Sequence, residues 1–163
     1  MTGSIALRPI GPSDAEWLTA FMTERWGAPV VAGGWRLHRA DRLPGVVAER
    51  ADGTVAGVVT WLIEGDACEL VTIDAVSEGE GIGTALLEAA CAAVAAAGCR
   101  RVHLITTNDN LRALGFYQRR GFVLRELRAG AITEARRRKP EIPAVAGNGI
   151  PIRDELVLER PLS

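Results

Sequence analysis

The sequence predicts a mixed α/β fold, and three observations support this class. β-branched runs joined by an Asp-Gly turn predict neighbouring antiparallel strands in the first half, and strands alternate with helices in the second half. The chain has 163 residues, of which 48% are hydrophobic, so it can bury one core of ordinary size. We therefore expect a single domain that spans residues 1–163.

The first elements are read from short apolar runs and helix-start signals. "SIALRPI" predicts a strand, and "PSD" precedes a helix over "AEWLTAFMTERW". The stretch from Gly27 to Gly45 is rich in Gly, Pro and Trp, so we predict irregular structure with a short helix. A binding loop would most naturally lie there, because connecting segments often carry function.

The centre of the chain predicts three strands, a long helix and a fourth strand. "GVVAERADGTVAGVVTWLIE" predicts two strands joined at "ADGT", and "ACELVTIDAV" predicts a third that ends in the glycine-rich turn "EGEGIG". The following helix runs to Ala97 and stops at Gly98, because glycine suits the position after a helix. "RVHLITT" is the next strand.

The last third predicts a short helix, two strands and a long connection. "NDNLRALGFYQRRG" is a helix capped by Asn108, Asp109 or Asn110, and "FVLREL" follows as a strand. The segment from Arg128 to Pro151 predicts a helical turn and then an extended loop. "IRDELVLERPL" is a final strand, expected as an edge strand or a hairpin partner.

Charge and composition narrow the classes of partner. The net charge of −1 gives no global field that would favour nucleic acid or an anionic membrane. Cys68, Cys91 and Cys99 lack metal-site spacing and are interpreted as reduced core residues. The N-terminus lacks the pattern of a secretory signal and no run is long enough to span a membrane, so we expect a soluble cytoplasmic protein.

The glycine-rich turn predicts an anion site, because it presents backbone amides at a helix N-terminus. A dinucleotide fingerprint would need a third glycine, where Thr84 or Leu86 stands, and a P-loop would need a Lys nearby. Both nucleotide interpretations therefore lose a required residue. A tight turn that binds nothing remains an alternative.

The short helix supplies a second motif. Asn110, Ala113 and Tyr117 are spaced i, i+3, i+7, which predicts one shared helix face with an unusually small central residue. Such a face lets another chain or a ligand lie close to the helix. The alternative is a buried tyrosine with an ordinary hydrogen bond.

Together the two segments resemble the GCN5-related N-acetyltransferase superfamily. The family's turn, which is Arg or Gln, two residues, Gly, any residue, and Gly or Ala, is matched at Glu78, Gly81 and Gly83. The resemblance spans about Gly53 to Val123, and its second part is matched by Asn110, Ala113, Tyr117, Gly121 and Phe122.

The resemblance implies an acyl-CoA N-acyltransferase fold with a six- to seven-stranded mixed sheet, flanked by helices. The sheet would splay open between the strand ending at Val76 and the strand from Arg101 to Thr107. Acetyl-CoA, the implied co-substrate, would lie in that opening without a metal. The implied cofactor-binding residues are Ile73, Ala75, Val76, Glu78, Gly79, Gly81, Ile82, Gly83, Thr84, Asn110, Ala113 and Tyr117.

The implied chemistry is direct acetyl transfer to a primary amine of a small molecule or peptide. Tyr117 matches the family's general acid, and a backbone N–H near Val76 would polarise the thioester carbonyl. Glu69 is our first candidate for the general base, because it alternates with the apolar Val71 and Ile73. Asp74, His103 or no dedicated base are the alternatives.

Some residues depart from the family pattern or stay open. Glu78 and Glu80 replace basic residues and would repel a pyrophosphate, so binding would depend on backbone donors and on positive charge from elsewhere. Family members are often dimers, and the segment from Arg128 to Pro151 would be a lid or a dimer contact. A non-catalytic acyl-CoA-binding module is the competing function, and a nicotinamide or nucleotide binder is a distant third. Three arginines are candidates for contact with the CoA phosphates: Arg112, Arg119 and Arg120. Three tryptophans are candidates for contact with the acceptor amine: Trp26, Trp35 and Trp61. The run Arg136 to Lys139 is a candidate for binding an acidic acceptor.

Overall fold

The computed structural model describes residues 4–26, 30–33 and 36–163. The chain divides into two compact units, the first formed by residues 1–102 with 162–163 and the second by residues 103–161. Seven strands belong to one mixed sheet, and two short strands form a separate hairpin. Within the described ranges no helix is long and apolar enough to cross a membrane.

The first unit contains four antiparallel strands of the sheet, in the order β1, β4, β5, β6. The predicted hairpin is confirmed, because β4 and β5 pair across a turn in which Gly53 has a φ of 85°. Asp52 Oδ1 accepts hydrogen bonds from the backbone N–H and the hydroxyl of Thr54 in that turn. The strands are β1 Ile5–Pro9, β2 Val30–Gly33, β3 Arg36–Arg39, β4 Gly45–Arg50, β5 Val55–Glu64 and β6 Ala67–Ala75.

A long helix packs on one face of these strands. This helix, α1 (Ala15–Trp26), follows a short 3-10 turn at Pro12–Asp14, as the sequence predicts. Leu18 and Met22 of α1 form a fully buried cluster with side chains of β4 and β5. Burying several large aliphatic side chains in this way stabilises the unit by about 1.5–3 kcal/mol for each side chain.

A second helix, α2 (Ile82–Ala96), packs on the opposite face. The close approach depends on Gly57 of β5, where an added Cβ would lie 2.6 Å from the carbonyl oxygen of Asp74 and 2.9 Å from Leu86 Cδ1. It would also lie 3.1 Å from Ile82 Cγ2, in the first turn of α2. The absence of a side chain at Gly57 therefore positions the start of α2 directly on the sheet.

The prediction of irregular structure between Gly27 and Gly45 is wrong for the residues that the structure describes, whereas the predicted short helix matches a 3-10 turn in this stretch. β2 and β3 form an antiparallel hairpin in which Val31 lies opposite His38, and a 3-10 turn follows at Ala40–Arg42. Strands of four residues are too short to show a clear period-two pattern, so the Gly, Pro and Trp content dominated the prediction. Residues 27–29 and 34–35 of that stretch lie outside the described residues.

The second unit contains two helices and three strands of the sheet, in the order β7, β9, β8. β9 pairs antiparallel with β8, which confirms the predicted hairpin partner, but the edge strand is β8 rather than β9. Chain order alone does not reveal that the last strand inserts beside β7. The elements are β7 Arg101–Thr107, whose first two residues belong to the first unit, α3 Leu111–Gln118, β8 Val123–Arg128, α4 Ala131–Arg138 and β9 Glu155–Pro161.

The segment between β8 and β9 consists of α4 and an extended loop, as predicted. Asn108 holds the end of this loop: its Oδ1 accepts hydrogen bonds from the amides of Arg153 and Asp154, at 2.9 and 3.0 Å. Its Nδ2 donates to the carbonyl of Pro151 at 2.9 Å. A single amide side chain therefore fixes the returning chain just before β9.

Candidate active site

The glycine-rich turn leads from β6 into α2. Gly79 and Gly81 have φ angles of 79° and 73°, a region that glycine adopts without the strain of a side chain. Gly81 caps α2, and the first helical hydrogen bond runs from the N–H of Ala85 to the Gly81 carbonyl at 3.0 Å. The amides of residues 82–84 precede this ladder, so the turn has the geometry that favours an anion.

Glu80 of the turn forms a hydrogen-bonded network with Arg50 and Ser77, and this network bears on the predicted repulsion between the glutamates and a pyrophosphate. Oε2 of Glu80 accepts a hydrogen bond from Arg50 Nη1 at 3.0 Å, and Oε1 of Glu80 accepts one from Ser77 at the same distance. Arg50 Nη2 also donates to Ser77 Oγ at 3.0 Å. Hydrogen bonds from Arg50 and Ser77 lower the pKa of Glu80. The Glu80 carboxylate is therefore ionised and matched by a guanidinium, and it presents less unbalanced negative charge than the sequence suggests.

The resemblance implies that a backbone N–H near Val76, just after β6, polarises the thioester carbonyl. The N–H of Val76 donates to the carbonyl of Ala56 at 2.8 Å, so it is used inside the sheet. The Val76 N–H itself is therefore not available to a thioester carbonyl, and a neighbouring amide near Val76 stays the prediction. Strand amides alternate in direction, so the N–H of Ala75 points away from β5. The carbonyl of Ala75 lies 3.4 Å from Arg25 Nη2.

The predicted alternation of Glu69, Val71 and Ile73 is interrupted by a β-bulge. Thr60 lies opposite Thr72 but Trp61 lies opposite Leu70, which leaves Val71 as the extra residue. The register consequently places Glu69 on the face of Thr72 and Asp74, and Ile73 on the opposite face. Glu69 therefore belongs to the face on which α1 packs.

The imidazole of His38, which was not among the predicted site residues, lies buried beside Glu69. Nε2 of His38, on β3, lies 2.9 Å from Oε2 of Glu69, and the two side chains are only 6% and 12% exposed. His38 lies in the stretch predicted to be irregular and has no spacing relation to Glu69. The sole available signal was the expectation that this stretch would supply a binding loop.

The two alternative bases differ in their surroundings. Asp74 forms an ion pair with Nε of Arg25, in the last turn of α1, and its side chain is 12% exposed. The ion pair with Arg25 engages Oδ2 of Asp74. His103 is half-buried on β7 in the second unit.

The second predicted motif lies on α3 and the residue before it. Asn110 is the helix cap, because its Oδ1 accepts a hydrogen bond from the N–H of Ala113 at 3.2 Å. This confirms Asn110 among the three predicted caps and shows that its side chain stabilises the start of α3. Asn110 is exposed, Ala113 is half-buried and Tyr117 is buried, so the three residues lie at different depths.

Tyr117 is enclosed by aromatic rings. The ring is 8% exposed and contacts Phe116 and Phe122 edge-on, with centroids 5.1 and 5.4 Å away. Burial raises the pKa of the phenol well above its usual value near 10, because the charged phenolate would lose its hydration. Tyr117 therefore stays in the protonated form that a general acid requires.

Several basic residues have structural contacts. Arg120 lies 3.8 Å from the ring centroid of Phe116 and donates to its carbonyl, so it packs at the end of α3. Arg136 donates three hydrogen bonds to the carbonyls of the loop that follows α4, at 2.8 to 3.0 Å. These contacts favour scaffolding over ligand recognition for both residues. The three acceptors of Arg136 are Ile142, Pro143 and Ile152.

The remaining candidates belong to the core or fall outside the description. Trp61 is buried, which favours packing over contact with an amine, whereas the Trp26 side chain and Trp35 lie outside the described residues. The three cysteines are buried thiols, and burial raises the pKa of Cys68 to about 12. In the described ranges no group of three or more His, Cys, Asp or Glu side chains could hold a metal ion.

Comparison with known proteins identifies the family. The model of the acetyltransferase (GNAT) family matches residues 12–122, and the chain belongs to this family. The uncharacterized protein YxbD of Bacillus subtilis (strain 168) is 44% identical over 145 residues, which cover 89% of this chain and 91% of YxbD. The resemblance predicted from the two motifs is therefore confirmed.

Solved structures share the fold. The IAA acetyltransferase from Bacillus cereus ATCC 14579 has a TM-score of 0.70 and 24% identity, with 98% of this chain and 100% of that chain covered. A GNAT family acetyltransferase from Elizabethkingia anophelis with acetyl-CoA bound has a TM-score of 0.69 and 16% identity, with 97% and 98% covered. The predicted fold class is thereby confirmed.

Proposed function

We propose that this protein is an acetyl-CoA-dependent N-acetyltransferase that acetylates a primary amine of a small molecule or peptide. The observation that carries the proposal is the turn at Gly79 and Gly81, whose left-handed glycines open α2 with backbone amides alone. Family membership supports the acetyl donor, because a protein of the same fold carries acetyl-CoA.

The proposed contacts with acetyl-CoA are made mainly by backbone atoms of the protein. The pyrophosphate would accept hydrogen bonds from the amides of residues 81–84, aided by the Thr84 hydroxyl. The side chain of Ile82 is buried against the sheet, so this residue would contribute only its N–H. The pantetheine arm would pair with the backbone of Ile73 and Ala75, whose amides point away from β5.

The proposed chemistry assigns one proton step to each of two side chains. Glu69 removes a proton from the acceptor ammonium, and the neutral nitrogen then attacks the thioester carbonyl carbon. Tyr117 gives its proton to the departing thiolate as the carbon–sulfur bond breaks, and the surplus proton on the new amide nitrogen restores the phenol. Glu69 releases its proton to solvent, so the net products are the amide, the thiol and one proton.

An amine-panel assay tests the proposal. Purified protein is mixed with acetyl-CoA and a range of primary amines, and release of the free thiol is followed. Thiol release that depends on the amine supports the proposal. Tight acetyl-CoA binding without transfer to any amine would contradict it and favour the non-catalytic module, while NAD binding without CoA binding would favour a nucleotide site.

We further propose that residues 1–163 act as one domain in the cytoplasm. The match to the family model supports this, since residues 12–122 run through both compact units. The net charge of −1 gives no reason to expect nucleic acid or a membrane as a partner. A homodimer is the alternative to a monomer, and sedimentation distinguishes the two by mass.

The Arg50 network yields a prediction about donor affinity. Replacing Arg50 by alanine leaves the carboxylate of Glu80 without its guanidinium, so the turn should repel the pyrophosphate. We expect the dissociation constant for acetyl-CoA to rise by up to about fivefold at low salt, since interactions between exposed charges are weak. The loss should shrink as the salt concentration rises.

The matched control for Arg50 is a double variant. Adding Glu80→Gln to Arg50→Ala removes the uncompensated charge and should restore most of the affinity. Isothermal calorimetry at two salt concentrations measures both effects. Equal affinities of Arg50→Ala and the unmodified protein for acetyl-CoA at low salt would show that the charge of Glu80 does not affect acetyl-CoA binding.

A further inference from the structure

A buried imidazole beside the proposed base has no role in the reaction described so far. His38 is 6% exposed, and its Nε2 lies 2.9 Å from Oε2 of Glu69. In the described part of the structure this Nε2 has no conventional hydrogen-bond partner, although it is fully buried. A buried polar atom without a hydrogen-bond partner destabilises the folded protein, so the placement of Nε2 against a carboxylate indicates a functional role.

Three other polar side chains on this face of the sheet, Asp74, Thr60 and Thr72, have polar partners. Asp74 is paired with Arg25, and the hydroxyls of Thr60 and Thr72 share a hydrogen bond of 2.7 Å. Glu69 is the carboxylate of β6 that faces an imidazole instead of a guanidinium. A guanidinium can bind both carboxylate oxygens in a fixed fork, whereas an imidazole nitrogen contacts one oxygen and leaves the other open to the substrate.

Chain topology brings these two groups together. β3 is paired with β2, and β2 contacts β6, so the hairpin lies along the strand that carries Glu69. The bulge at Val71 turns Glu69 toward the face shared with Asp74. Without the bulge, residue 69 would point to the face that packs against α2.

We propose that His38 is a positioning residue for Glu69 in the proposed acetyl transfer, and this inference rests on the proposed function. The imidazole of His38, whose Nε2 lies 2.9 Å from Oε2, restrains that side of the carboxylate, and Oε1 is the oxygen that meets the acceptor ammonium. When Oε1 takes the proton from the ammonium, the imidazole keeps the carboxyl group in place. The proton then leaves from Glu69 to solvent, and His38 is unchanged over the cycle.

The test compares two substitutions at His38. His38→Leu keeps the approximate volume but removes the donor, and it should lower kcat by about 10-fold to 100-fold with little change in acetyl-CoA affinity. His38→Gln retains an N–H donor near the position of Nε2 and should recover much of that loss. Equal kcat values for His38→Leu and the unmodified protein would overturn the inference.

A double variant and a matched control separate positioning from folding. His38→Leu combined with Glu69→Gln should be no slower than Glu69→Gln alone, because both act through one carboxylate. Thr72→Val removes a buried hydrogen bond on the same strand and should leave kcat near that of the unmodified protein. A fall in kcat for Thr72→Val as large as that for His38→Leu would mean that general loosening causes both effects.

The outcomes distinguish this inference from the proposed function. If the unmodified protein acetylates no amine of the panel, the proposed function fails and the role of His38 fails with it. If the unmodified protein is active but His38→Leu has the same kcat, only the inference about His38 fails. Thermal unfolding of each variant, measured beside the assays, shows whether the protein is folded at the assay temperature.

Discussion

Replacing Tyr117 by phenylalanine should lower kcat by a factor of about 10² to 10⁴, the usual contribution of a general acid. The substitution keeps the ring, so the edge-on contacts with Phe116 and Phe122 at 5.1 and 5.4 Å are retained. Acetyl-CoA affinity should be unchanged, because the lost group acts on the departing sulfur and not on the phosphates. Single-turnover kinetics together with calorimetry measure the two quantities separately.

The protonation state of Tyr117 can be checked independently. Tyr117 is the one tyrosine of the chain, so the absorbance of the phenolate during an alkaline titration reports this residue alone. Because burial raises the pKa of the phenol, the signal should appear only well above the usual value near 10. Full activity of Tyr117→Phe in a single turnover would show that another group donates the proton.

Replacing Gly81 by alanine should weaken acetyl-CoA binding by at least about tenfold, equivalent to about 1.4 kcal/mol. Gly81 has a φ of 73°, where a side chain costs about 1–2 kcal/mol. The turn would relax to a different backbone conformation and move the amides at the start of α2. A Cβ at this position meets no protein atom within 4 Å, so the effect would not come from a clash inside the protein.

Gly98→Ala is the matched control for Gly81→Ala. Gly98 has a φ of 99°, follows the same helix and also has no neighbouring atom within 4 Å of an added Cβ. Both variants should lose a similar free energy of unfolding, yet only Gly81→Ala should lose affinity for acetyl-CoA. Equal affinities for the two variants would argue against a phosphate site at the start of α2.

Local sequence signals predicted most of the elements. The Asp-Gly turn, the helix start at "PSD" and Gly98 are short-range features, and the structure has the corresponding hairpin and helix boundaries where they were expected. The pair β2 and β3 was missed because each strand has four residues. The edge position of β8 was missed because it depends on where β9 inserts, which no local signal encodes.

The candidate site follows the same division. The turn at Gly79 and Gly81 and the position of Tyr117 were readable from motif spacing, because each motif lies within one short segment. The occupied amide of Val76 and the partner of Glu80 were not readable, because each depends on a residue 20 or 30 positions earlier in the chain. The sequence predicts that Glu69 and Ile73 share one face of β6, but the β-bulge at Val71 places them on opposite faces.

The sequence by itself determined the class of fold, the family and the turn at Gly81, since these depend on the identity and spacing of neighbouring residues. Only the tertiary structure decided which charges are compensated and which side chains meet. Arg50 reaches Glu80 and His38 reaches Glu69 because strand pairing brings together residues that are 30 and 31 positions apart. Such contacts arise from packing, and packing is a property of the folded chain.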